Sequence, residues 1–194
     1  MVSMDALPLD PSGYTGTYKL VGGRLSLDLA NTISWPQTDR EHDWFAIPAN
    51  VDVWLEANGL DSPPISESDL PAIHQIRKAV SDLLRPLTSG ERPDPKVIHD
   101  YNSLLSDALS RKCLSPEDLT WTWAPPERVR QTLDPVVLDA AELAAAGSHK
   151  RLKRCPSCDW LFEDQTRNGQ RRWCDMADCG SRDKARRYYH RHKA

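Results

Sequence analysis

Four of the five cysteines, Cys155, Cys158, Cys174 and Cys179, fall within 25 residues, and this spacing constrains the C-terminal part more than any other feature. A CxxC turn aims two sulfurs at one point while turn amides donate to them, and a second pair brought alongside completes a tetrahedral thiolate set. The set predicts one structural Zn²⁺ with no open position for water, hence no hydrolytic role. Four cysteines can also hold an iron–sulfur cluster or form a redox disulfide pair. Between the pairs, Trp160-Leu161-Phe162 and Arg171-Arg172-Trp173 flank Asn168-Gly169, a dipeptide suited to a tight hairpin turn, so the expected ribbon turns there. A unit of this size has little core, so metal binding should supply folding free energy of order 10 kcal/mol. On that reading chelation unfolds the tail and leaves the rest intact.

Charge divides the chain at the same place. Residues 150–194 carry 13 Lys and Arg against 6 Asp and Glu, whereas residues 1–149 carry 12 against 22. A basic part on an acidic chain points to a polyanion partner. Past Cys179, Ser181 is the expected N-cap and Asp183 suits the first turn of a helix growing out of the metal site. On that helix Lys184, Arg187 and Arg191 form one stripe, and Arg182, Arg186 and Lys193 a second. Ala185, Tyr189 and His192 form the narrow band expected to pack inward. Such a helix fits the major groove of DNA, where arginine forks to guanine and the other cations neutralise phosphates. Arg167, Arg171 and Arg172 on the ribbon are expected to add phosphate contacts. Tyr188 and Tyr189 leave RNA open as a partner through base stacking. The bland alternative is a solvated charged face, and a third reading docks the helix on an acidic protein surface, including this chain's own N-terminal part or a second copy.

The remainder reads as a mainly α domain over residues 1–149, with the finger over 150–194. The first 20 residues, rich in Pro and Gly, suggest a loose arm. Leu25, Leu27 and Leu29 alternate as a strand would, while Leu25, Leu29 and Ile33 suit a buried helix, the reading preferred here; residues 35–50 read as a loop. Asn50 is the expected cap of a helix ending at Gly59; Ser66 or Ser68 opens the next, with an apolar stripe from Leu70 to Leu87. Pro95 and Pro135 sit at first turns, Leu119–Trp123 alternates as a strand, and Gly147 closes the last helix. Trp35, Trp44, Trp54, Trp121 and Trp123 are candidate core or pocket walls. No nucleotide loop, zinc-protease or hydrolase motif occurs, so no enzyme is expected. No apolar run approaches the ~18 residues of a membrane span. The start, Met1 to Asp10, has no basic segment and no apolar core of a secretory signal, which makes the cytosol the expected compartment.

These residues resemble a known family. Cys155-Pro156 and Cys158, Phe162, Asp164, Arg167-Asn168, Arg171, Trp173-Cys174, Met176, Cys179-Gly180, Arg182 and Lys184 resemble the CGNR zinc finger of bacterial transcription regulators. Gly22-Gly23-Arg24-Leu25, Asp28 and Asn31-Thr32 resemble the opening of the ABATE domain, a stress-responsive regulatory domain. The resemblance implies a two-part regulator in which the N-terminal domain senses a ligand or stress and the finger binds DNA. It also raises Arg24, Asp28 and Asn31 as candidate pocket residues, beside the blander reading of the same residues as caps and buried hydrogen-bond partners. Where the family has Asn this chain has Ser181, which removes any contact that needs the amide. A single basic helix has a small footprint, so a homodimer is a plausible reader of DNA.

Overall fold

The computed structural model describes residues 6–192, without the side chain of His190. Helix takes 48% and strand 11% of it, so the fold is mainly α with small β pieces. The N-terminal segment is not a loose arm. β1 (Ala6–Leu7) pairs antiparallel with β2 (Tyr18–Lys19), and Leu9, Tyr18 and Val21 are buried. Three apolar side chains gain more by leaving water than Pro and Gly cost the segment in regularity. α1 (Leu25–Ala30) follows, buried through Leu27, Leu29 and Ala30.

The stretch expected as a loop holds short structure. β3 (Ile33–Ser34) pairs with β4 (His42–Asp43), and a 3-10 turn at Trp44–Ala46 buries Trp44 and Phe45. α2 (Pro48–Ala57) starts on Pro48. Asn50 is therefore not its cap: it sits inside the first turn, buried, and its amide nitrogen donates to the carbonyls of Asp10 (2.9 Å) and Trp44 (2.8 Å). Ser66 opens a capping box with Asp69 ahead of α3 (Leu70–Leu84). Ile73, Ile76, Val80, Leu83 and Leu84 fill the buried face of α3, as their spacing requires. α4 (Pro95–Leu109) is capped by Asp94, buries Tyr101 and Ala108, and packs on α3.

β5 (Lys112–Leu114) and β6 (Trp121–Trp123) form a hairpin on the outside. Trp121 is 68% exposed there and not a core wall, whereas Trp44 and Trp54 are fully buried. α5 (Asp134–Ala145) packs against α1, α3 and α4. Asp134 serves as a buried ion-pair partner of Arg111 rather than as a side-chain cap. No helix among the described residues is long and apolar enough to cross a membrane.

In the C-terminal part β7 (Leu152–Arg154) pairs with β8 (Leu161–Glu163). The hairpin thus turns at the first cysteine pair, not at Asn168-Gly169, because Cys155 N–H donates to the Trp160 carbonyl (2.8 Å) and closes the turn itself. A π-helical turn (Met176–Gly180) leads into α6 (Ser181–His192). The core is continuous: Trp160, Leu161 and Phe162 are buried in one cluster with Tyr18, Leu27, Trp44 and Trp54.

Candidate metal centre and basic helix

Cys155 and Cys158 stand at the ends of the turn between β7 and β8, Cys174 follows the linker, and Cys179 lies in the π turn. All four are buried, and their sulfurs lie within 4.8 Å of one another. Cys158 to Cys174 is 3.4 Å and Cys174 to Cys179 is 3.7 Å. Four sulfurs at ~2.3 Å from a common Zn²⁺ would stand ~3.8 Å apart, so the set fits one tetrahedral zinc. Four thiolates at this spacing require a cation between them.

Polar groups around the sulfurs set this geometry. Asp175 caps the π turn by accepting from Ala177 N–H (2.7 Å) and is met by Lys19 (2.8 Å), which also reaches Asp178 (2.8 Å). These two carboxylates hold the Lys19 ammonium well above its ordinary pKa. Asp164 is wholly buried and organises the linker: it accepts from Lys153 (2.6 Å), Thr166 and the Arg171 amide (2.8 Å). Burial alone would raise its pKa, but these donors outweigh it and hold the carboxyl well below the usual range. No single-residue signal marks Asp164 beyond its place in the finger motif; its role becomes visible only when Lys153 and Arg171 come together.

Asn31 is wholly buried, and its amide is taken up by the protein itself. Its Nδ2 donates to the Leu161 carbonyl (2.8 Å), and its Oδ1 accepts from Leu161 N–H (2.7 Å), so the side chain pairs with β8 as a strand would. Arg24 forks onto Asp139 (2.8 and 3.0 Å). Asp28 is buried and accepts from Gly22 N–H (2.8 Å); burial raises its pKa to about 7. The Trp35 indole donates to the Ser157 carbonyl (2.8 Å), the Trp160 indole to Ser34 Oγ (3.0 Å), and Glu163 N–H to the Gly22 carbonyl (2.7 Å). These bonds, together with those of Asn31 to Leu161, Lys19 to Asp175 and Arg85 to Asp159 (2.6 Å), bolt the finger onto the helical domain.

α6 leaves this platform exposed. Ser181 is not its N-cap: its hydroxyl donates back to the Met176 carbonyl (3.3 Å), and the cap belongs to Asp175, one turn earlier. The band expected to pack is also outside, with Ala185 and His192 exposed and Tyr189 68% exposed. Helix and platform continue one another end to end, so no face of α6 is obliged to pack. Lys184, Arg186, Arg187 and Arg191 are exposed; Arg186 (3.1 Å) and Arg187 (2.6 Å) share Asp183. Arg182 lies at the base, 3.9 Å from Cys179 Sγ. On the linker Arg167 and Arg172 are exposed, and the Arg172 and Arg187 guanidiniums stand 5.0 and 5.9 Å from the Trp173 ring. Arg171 is turned inward, donating to the carbonyls of Trp173 and Cys174 and lying over Phe162, so its charge is spent within the finger. Lys193 lies outside the described residues.

Residues 23–147 match the ABATE family, described as "Putative stress-induced transcription regulator", and residues 151–192 match the CGNR zinc finger. No curated protein matches the chain.

Proposed function

Because the chain belongs to the ABATE family and ends in a CGNR zinc finger holding one structural zinc, we propose that it is a cytosolic transcription regulator that binds DNA through α6. The observation that carries the reading is the state of that helix. Five Lys and Arg project from the described α6, with Asp183 as its one acidic residue, and a zinc-fixed base sets its direction. Arg186 and Arg187 are themselves exposed and share the one largely covered carboxylate of Asp183, so neither guanidinium is fully neutralised and both can still reach phosphates. Lys184, Arg187, Arg191 and Lys193 are assigned to phosphates or bases, with Arg182, Arg186, Arg167 and Arg172 flanking. The protein is read as a binding module and not an enzyme, with the helical domain as its sensor.

Anisotropy with random duplex at two salt concentrations tests this. Neutralising about five phosphates gives a slope of log K against log[salt] near −4 to −5. Arg187→Ala with Arg191→Ala should flatten the slope without lowering zinc content; no binding at low salt refutes the reading. The exposure of Tyr188 (61%) and Tyr189 supports a second reading, in which the helix meets single-stranded RNA or an acidic protein surface, including a second copy. Preference for single strands over duplex, or salt-sensitive self-association without nucleic acid, would favour it.

A further inference from the structure

The hairpin of β5 and β6 turns an apolar face to water. Its register sets Lys112 opposite Trp123, Cys113 opposite Thr122 and Leu114 opposite Trp121, so the first and third pairs share one face and the middle pair takes the other. On the first face Leu114 is 52% and Trp121 68% exposed. In the turn Leu119 is 74% exposed and has φ 57°, a left-handed conformation that favours glycine. The turn is nonetheless closed: Ser115 N–H donates to the Thr120 carbonyl (2.8 Å) and Leu119 N–H to the Ser115 carbonyl (3.0 Å). A fixed turn thus displays a leucine where the backbone alone favours none.

Three features indicate what covers this face. Two strands of three residues are marginal in water by themselves, and a second ribbon laid on the apolar face supplies the packing they lack. Leu114, Leu119 and Trp121 together offer roughly 400 Å² of apolar surface, about half of the ~800 Å² that each partner brings to a stable interface, which is the share expected of its apolar centre. Charge suits a like partner running in the reverse direction. Lys112 stands at the root over the Trp123 ring (4.7 Å), whereas Glu117 and Asp118 stand in the turn, bonded to the Ser115 and Thr120 hydroxyls; among the described residues none of the three has an opposite charge within ion-pair distance. Arg111, the other cation at the root, is taken by Asp134. Two copies stacked antiparallel set Lys112 of each against the acidic turn of the other, whereas parallel stacking would bring the two acidic turns together.

We infer that the β5–β6 hairpin is a dimerisation element: two copies of this chain stack their hairpins antiparallel about a twofold axis. Leu114, Leu119 and Trp121 form the centre, and Lys112 meets Glu117 or Asp118 at the rim. A twofold contact is closed, so assembly stops at the dimer. It uses no residue of α6 and needs no nucleic acid, so it stands whether or not the DNA reading does.

Sedimentation velocity of the zinc-loaded full chain without nucleic acid tests it. A monomer–dimer equilibrium with Kd below about 100 μM is expected. Because a twofold contact counts each substitution twice, Trp121→Ser should weaken it by about a hundredfold or more with zinc content unchanged. Leu119→Gly suits the left-handed backbone, so the urea midpoint of the monomer should hold or rise while the dimer weakens by about tenfold or more; a purely structural role for Leu119 would lower the midpoint and leave the dimer alone. Lys112→Glu should weaken the dimer, and adding Glu117→Lys with Asp118→Lys to the same chain should restore it. Failure of that rescue overturns the antiparallel stack. A chain that stays monomeric up to several times that concentration leaves the face to a different protein or a lipid surface and overturns the inference. So does a dimer indifferent to both Trp121→Ser and Leu119→Gly, or one abolished by Arg187→Ala with Arg191→Ala, which puts the contact on α6.

Discussion

Replacing Asn31 with Ala tests whether finger and helical domain are one folding unit. Both hydrogen bonds between its amide and Leu161 are buried and near 2.8 Å, and alanine removes both partners at once while leaving Leu161 N–H and C=O in the core. Each hydrogen bond contributes about 1 kcal/mol, and each orphaned backbone group costs about 1–3 kcal/mol more. Allowing for partial relaxation, the expected loss is roughly 3 kcal/mol. If the two parts fold together, urea denaturation followed by tryptophan fluorescence and by zinc release should give coincident transitions, both moved to lower urea with an unchanged slope. Zinc affinity should fall at the same time, by up to about 100-fold for 3 kcal/mol, since every 1.4 kcal/mol is tenfold. Asn31→Asp keeps the acceptor but not the donor and adds a buried carboxyl, so it should be no better. A loss below about 1 kcal/mol, or zinc affinity that stays put while the helical domain weakens, would refute the claim that Asn31 couples them.

Three further outcomes follow from the same geometry. Chelation of zinc should loosen the helical domain too, because Trp160, Leu161 and Phe162 belong to its core; a thermal transition of that domain unchanged by chelator would contradict this. Gly22→Ala should destabilise by about 2 kcal/mol or more, since a Cβ there would stand 2.7 Å from Leu27 Cβ and 3.0 Å from Asp28 N, and a chevron or urea midpoint equal to wild type would show that the backbone can give way. Asp28, with a folded pKa of about 7 against ~3.9 unfolded, keeps its proton on folding, so its contribution is complete below about pH 4 and is lost as pH rises through 7; between pH 5 and 8 the wild type should lose on the order of 2 kcal/mol relative to Asp28→Asn, and parallel pH profiles would exclude the shift.

The features legible in the sequence were those whose physics is local. The stripe of α3, the prolines opening α4 and α5 and the left-handed Gly59 and Gly147 each depend on neighbours within a turn, and all stand where expected. The cysteine spacing also carried its answer, because a CxxC turn has few alternatives. What sequence could not show was set by long-range contact. Leu9 and Tyr18 make the N-terminal segment part of the core only because Trp44, Trp54 and Trp160 surround them. Arg171 looked like Arg172, yet one bonds to carbonyls inside the finger and the other is exposed; nothing in two adjacent arginines distinguishes them. The hairpin turn was misplaced for a related reason. Asn168-Gly169 does turn, with Gly169 at φ 60°, but β8 had a nearer partner in β7, whose basic residues hide its strand pattern.

The mode of attachment bears on regulation. A finger on a flexible tether could bind nucleic acid without consulting the rest of the chain, whereas here the platform of α6 shares a core with the helical domain and is hydrogen-bonded to it at many points, Arg85 at the end of α3 to Asp159 among them. Any ligand that shifts α3 or the 33–41 loop must therefore either move the cysteine turn or break one of those contacts. Trp35 makes the first course cheaper, since its indole and amide both bond to the turn and its backbone is already in an unfavourable conformation that a modest rearrangement would relieve. A signal can thus reach the basic helix through a rigid path of a few residues, with its size limited to the ligand's differential affinity for the two arrangements.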